Sequence, residues 1–225
     1  MGRPVKRRAS PSTTARASSR SAATMETNTR RRAEIIETAA GVFARKGVGN
    51  TTMRDIADEA GILAGSLYHH FESKDELLEE ILRDVLGDLT AAYEEVRKAD
   101  IDPITAIKRL LLVGLQFVND QHDVTSIVQN DYTYLHDMER FTFIDGLTEL
   151  HRRSWRAVLE RGVAAGVFRD DVDLELVYRS MIAAIVAEVR WRRGTRRPPA
   201  EELAEQYSRL YLSGLVAAKP EQDDI

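Results

Sequence analysis

Few side chains in this sequence are arranged to make or break bonds. A larger set is arranged to hydrogen-bond a charged polymer. The five histidines are His69, His70, His122, His136 and His151. None stands four residues from another, as a helical metal pair would, and no glycine-rich phosphate loop occurs. His122, His136 and His151 read as capping or solvated residues. Asp170, Asp171 and Asp173 lack the oxygen spacing and turn glycine of a calcium loop. They read as a turn and the cap of the helix that follows. With no cysteine in the chain, disulfides, thiolate metal sites and cysteine nucleophiles are excluded. No catalytic residue, metal ligand or cofactor is expected. The second set is denser: Thr52, Arg54, Gly65, Ser66, Tyr68, His69 and Lys74 bring hydroxyl, guanidinium, imidazole and ammonium groups into one short stretch. Such donors meet phosphates and base edges.

Two short helices must position that set. Thr52 followed by Asp55 predicts a capping-box start, and Ile56, Ala57 and Ala60 give the first helix one apolar face. Gly61 ends it, since glycine takes the left-handed conformation without a Cβ clash. Leu67 and Phe71, four apart, anchor a second helix, so Ser66, Tyr68 and His69 point elsewhere. This is a helix-turn-helix, whose second helix enters the DNA major groove.

The run Thr51-Thr52-Met53-Arg54-Asp55-Ile56-Ala57, then Ala60-Gly61-Ile62, Gly65-Ser66-Leu67-Tyr68-His69-His70-Phe71 and Ser73-Lys74-Asp75-Glu76-Leu77-Leu78 resembles the DNA-binding domain of the TetR family of bacterial repressors. The resemblance covers about residues 30 to 80. It implies a lysine on the DNA backbone at Lys74. One departure stands out. The family usually has Ser two residues after the turn glycine, and this chain has Leu63, followed by Ala64. The cap is lost or moved.

The net charge of −4 hides an asymmetry. Residues 1–29 carry six Lys/Arg and one acid, residues 30–75 seven of each, and residues 76–225 nineteen basic and 28 acidic side chains. A basic arm beside a helix-turn-helix and an acidic body fit a DNA end and a non-DNA end. Residues 1–28, rich in Ser, Thr, Ala and Arg, are expected to be a disordered arm. Gly2-Arg3-Pro4 with Lys6-Arg7-Arg8 resembles the core of an AT-hook, placing Arg3 in a minor groove. A solvated leader, or a natural start at Met25, are the alternatives. Arg30, Arg31 and Arg32, expected at the start of the first helix, read as phosphate contacts. No apolar run approaches a membrane span and no secretory signal is present, so a cytoplasmic, nucleoid-associated protein is expected.

The expected fold is all-α with about nine helices: the arm, a three-helix DNA-binding domain over 29–75, and a helical ligand-binding and dimerisation domain over 76–225. Pro103 opens one helix, residues 123–136 hold another, a third runs from about Glu139 to Ala165, and a fourth from Leu174 to about Trp191. The last follows Pro198-Pro199. The resemblance implies a ligand cavity among the middle helices, for which Gln129, Tyr132, Tyr134, Phe141, Trp155, Arg190 and Trp191 offer a mixed lining. It also implies a homodimer through the last two helices. Dimerisation agrees with DNA geometry, because one short helix reads few base pairs. Leu176-Val177-Tyr178-Arg179, Val189-Arg190-Trp191 and Arg140-Phe141-Thr142-Phe143-Ile144 are similar to TetR-type regulators of steroid and fatty-acid breakdown in actinobacteria, which respond to acyl-CoA thioesters. Arg190, Arg192, Arg193, Arg196 and Arg197 would serve the CoA phosphates. The expectation is a homodimeric repressor on a palindromic operator, released by an apolar effector. An architectural DNA-binding protein without effector is the alternative.

Overall fold

The computed structural model describes residues 13–190 and 198–217, with side chains from residue 29 onward. Ten α-helices make up the described residues, with no strand beyond an isolated bridge between Phe168 and Val216. Helix α1 spans Thr13–Lys46, α2 Met53–Glu59, α3 Ala64–Tyr68 and α4 Lys74–Lys98. Then come α5 Pro103–Asp120, α6 His122–Asn130, α7 Tyr132–His136, α8 Phe143–Ala164, α9 Leu174–Ala187 and α10 Ala200–Leu215.

The termini follow local chemistry. Thr52 and Asp55 form the expected capping box, with the Thr52 hydroxyl accepting from Asp55 N and the Asp55 carboxylate accepting from Thr52 N. Ser73, Asp102 and Asp173 cap α4, α5 and α9 through their side chains. Gly47 and Gly61 stop α1 and α2 at φ of +80° and +64°.

Three boundaries differ from expectation. Helix α1 begins at Thr13, so the expected irregular arm is helical over 13–28. Once the buried stripe Ile35, Ala39, Val42 and Phe43 has nucleated the helix, extending it through Ala, Arg and Ser needs little further stabilisation. Arg30, Arg31 and Arg32 therefore lie inside a helix and not at its start. The single helix expected over 123–136 breaks at Asp131 into α6 and α7. A 3-10 turn, Glu139–Phe141, precedes α8.

Two apolar clusters hold the fold. The first joins α1–α3 and the first half of α4 to Val124 and Ile127 of α6, Leu135 of α7, Phe141, and Ile144 of α8. The second joins Tyr93 and Val96 at the far end of α4 to α5, α8, α9 and α10 around Trp155, Leu159 and Met181. Helix α4 belongs to both, so it is the rod along which the DNA-binding end and the body are connected.

Candidate nucleic-acid interface and ligand cavity

Leu67 is fully buried and fixes α3 to the first cluster, while Ser66, Tyr68, His69 and Gly65 are exposed. Tyr68 keeps 56% of its surface in solvent. Arg54 on α2 is almost free, its one ion pair a 3.8 Å contact to Asp58 between two exposed side chains. A surface pair of that length holds little energy and yields readily to a phosphate. These five residues, expected at the DNA, are thus all exposed.

Behind this face the body grips the helix-turn-helix through polar bonds. Asp131, at the break between α6 and α7, accepts from the backbone N–H of Val48 at 2.9 Å. The Tyr134 hydroxyl donates to Asp75 at 2.7 Å, in the first turn of α4. Burial, and then the Asp75 carboxylate, push the Tyr134 pKa up, so the phenol stays a donor. Arg140 pairs with Glu79 one turn further along α4.

The body contains an apolar cavity of about 220 Å³. Its walls come from α4 (Leu86, Leu89, Tyr93), α5, α6 (Thr125, Val128), α8 (Ile144, Leu147, Thr148, His151) and α9 (Tyr178, Ile182, Ile185, Val186). Gly114 of α5 lets two of these wall residues approach the helix: a Cβ there would meet the Tyr93 hydroxyl at 2.7 Å and Ile185 at 2.9 Å. His151 Nε2 lies 2.7 Å from Thr90 Oγ1. Because the Thr90 hydroxyl donates to Leu86 O, it can only accept from His151, which places the imidazole proton on Nε2. Burial lowers the His151 pKa to about 4, only partly offset by the Leu86 carbonyl, so the ring is neutral near pH 7. Beside the cavity, an open cleft of about 690 Å³ is lined by Arg45, His122, Asp123, Ser126, Gln129, Asn130, Val189 and Arg190. Gln129 stands between the two and donates to Val186 O at 3.0 Å.

Residues 35–81 match the family described as "Bacterial regulatory proteins, tetR family", and residues 100–215 match "Tetracyclin repressor-like, C-terminal domain". The HTH-type transcriptional repressor KstR2 of Rhodococcus jostii (strain RHA1) is 39% identical over 187 residues, covering 83% of this chain and 92% of that relative. This chain belongs to the TetR family of bacterial regulators. The ketosteroid transcriptional regulator KstR2 of Mycobacterium tuberculosis superposes with a TM-score of 0.78 at 37% identity, over 84% of this chain and 96% of the other. PfmR, a TetR family regulator from Thermus thermophilus, gives 0.70 at 33% identity, over 80% and 97%. This TetR-family chain is accordingly a DNA-binding transcriptional repressor and not an enzyme.

Several residues expected at the repressor's sites serve other ends. Lys74 donates to Val48 O at 2.8 Å and Thr51 O at 3.2 Å and lies 5.4 Å from the Tyr134 ring centre. Two of its three N–H bonds are spent closing the turn before α2, so its first role is structural. The Thr52 hydroxyl donates to Asp55 at 2.6 Å, so in this structure its proton serves the cap of α2. Arg30 and Arg31 pair with Glu34, and Arg32 pairs with Glu80 across the Phe71 ring. The family chemistry expected for these cations is available to intramolecular carboxylates too, and those are nearer.

The ligand residues fare worse. Phe141 and Trp155 are buried core, Tyr134 bonds Asp75, and Tyr132 is 60% exposed with its ring edge on His136. None of the four lines the cavity. Gln129 and Arg190 come together in the adjoining cleft. Arg3, Trp191 and the arginines at 192, 193, 196 and 197 lie outside the described residues. His151, read from the sequence as a capping or solvated residue, is instead a partly buried wall of the cavity. Its spacing of four from Leu147 and Trp155, on a helix otherwise amphipathic, was the one available hint.

Proposed function

We propose that this protein is a ligand-responsive repressor, bound to its operator as a homodimer and released when an apolar effector enters the cavity. The observation that carries this reading is the cavity itself. A void walled by five helices forgoes packing contacts that a protein without effector would be expected to fill. Its few polar groups, among them Thr125, Thr148, His151 and Tyr178, can orient one or two ligand oxygens, and no ionised side chain lines it. An uncharged group is therefore favoured inside.

The volume of about 220 Å³ is small beside the roughly 300–1,000 Å³ common for ligand pockets. It suits the acyl end of an acyl-CoA thioester, with the nucleotide lying in the open cleft near Arg190. The solved structure described as a ketosteroid transcriptional regulator makes a steroid-derived acyl group the first choice. The dimer would form through α9 and α10, where Leu176 and Leu210 leave 64% and 66% of their surface in solvent. On the DNA side, Arg54, Gly65, Ser66, Tyr68 and His69 would meet the operator, with Arg3 reaching a flanking minor groove. Such a protein works in the cytoplasm, on the nucleoid.

Calorimetry with a panel of CoA thioesters and their parent acids tests the effector. A thioester that binds and releases the protein from operator DNA, while its free acid does neither, is the expected result. Equal response to acid and thioester would remove the reason for a CoA site. No response to either would leave a repressor with some other effector.

A further inference from the structure

Among the described residues, the most exposed large apolar side chain is Leu63, at 83%. It stands at the N-cap of α3, with φ −69° and ψ 139°, and makes no side-chain capping bond. Ser, Thr, Asp or Asn at that position would accept from the N–H groups of the first turn. Leucine gives up that bond and gains no burial. Packing does not explain it either, because Leu67 of the same helix supplies the anchor to the core. A Cβ added at neighbouring Gly61 or Gly65 would meet nothing within 4 Å, so the space around Leu63 is open. Tyr68 is the other strongly exposed large apolar residue of the helix-turn-helix, and it lies on the same recognition helix.

The major groove offers an exposed apolar side chain one partner. Guanine, cytosine and adenine edges present only donors and acceptors there, while thymine adds its C5-methyl group. Against any other edge, Leu63 would displace water from polar atoms and return nothing. We propose that Leu63 is a specificity-determining residue that packs on a thymine methyl in each operator half-site. The proposal rests on the DNA-binding reading of α3 and is independent of which effector the cavity takes.

The probe is duplex DNA enriched from a random-sequence pool by the full-length protein. Each thymine in it is then replaced singly by 2′-deoxyuridine, which removes the methyl and nothing else. One symmetry-related thymine per half-site should weaken binding by about fourfold when substituted, the effect of exposing one buried methyl-sized group. Leu63→Ala should bind the thymine and uracil forms equally. Leu63→Ser, which restores a capping side chain, should do the same, and thermal melting of both variants checks the fold. Indifference of the wild type to every replacement would overturn the proposal. So would a uracil effect that survives unchanged in Leu63→Ala. A pool that yields no enriched sequence would instead overturn the operator reading beneath it.

Discussion

His151 is the residue whose chemistry most constrains what the cavity can hold. Its ring is held neutral by burial, with the Nε2 proton given to Thr90 and Nδ1 left as an acceptor. The folded pKa of about 4 lies below the ordinary 6.5, so between those values the unfolded chain binds a proton that the folded chain refuses. Stability is then fully present above about pH 6.5 and falls as the pH drops towards 4. Over the whole window the loss attributable to this group is on the order of 3 kcal/mol. Between pH 6.5 and 5 few carboxylates titrate, so a decline in that span is a histidine signal, which the variant assigns. Chemical denaturation at closely spaced pH values should show the decline in the wild type, and His151→Gln should flatten it. An identical slope in the variant would mean that the imidazole is solvated in solution.

At the scale of elements, the α6–α7 break is where cavity and DNA-binding end meet. Thr125 and Val128 of α6 wall the cavity, while Asp131 and Tyr134, just beyond them, hold Val48 and Asp75. A ligand that displaces α6 must therefore pull on the turn before α2 and on the first turn of α4. Tyr134→Phe removes one hydrogen bond and leaves the ring in place beneath Lys74. Its stability should drop by about 1 kcal/mol, with Asp75 left partly unsatisfied. Operator affinity without ligand should change little, and the ligand concentration needed for release should shift. A variant with an unchanged release curve in a DNA-binding titration would show that the signal runs along α4 alone.

The same elements show what a sequence can and cannot reveal. The helix-turn-helix was legible because its determinants are local: Thr52 with Asp55, Gly61, and Leu67 with Phe71 each act within a few residues. The cavity was not, because its walls come from five separated helices, and Leu86, Phe117 or Ile185 look the same whether they face a neighbour or a void. Polar and aromatic residues drew attention instead, yet Tyr134, Phe141 and Trp155 are packing and latching groups. Lys74 and Arg32 show a related limit. A cation suited to a phosphate is equally suited to a carbonyl or a carboxylate, and only the fold says which is closer.

For the whole molecule, charge distribution governs how DNA is found. The helix-turn-helix region is neutral by count and the body strongly acidic, so attraction at a distance depends on residues 1–29, where Arg3, Lys6, Arg7, Arg8, Arg16 and Arg20 stand against a single acid. A dimer carries two such segments. Each cation that neutralises a phosphate adds about −0.9 to the slope of log affinity against log salt. A protein beginning at Met25 loses all six cations per chain but none of the buried core, which starts at Ile35. It should keep its melting temperature and its dimer, bind the same operator more weakly, and show a shallower salt slope. If Arg3 lies in an A·T-rich minor groove, the truncated protein should also lose sensitivity to A·T content flanking the operator. Equal slopes for the two proteins would show that the six cations stay in solvent, and that affinity comes from residues after Met25.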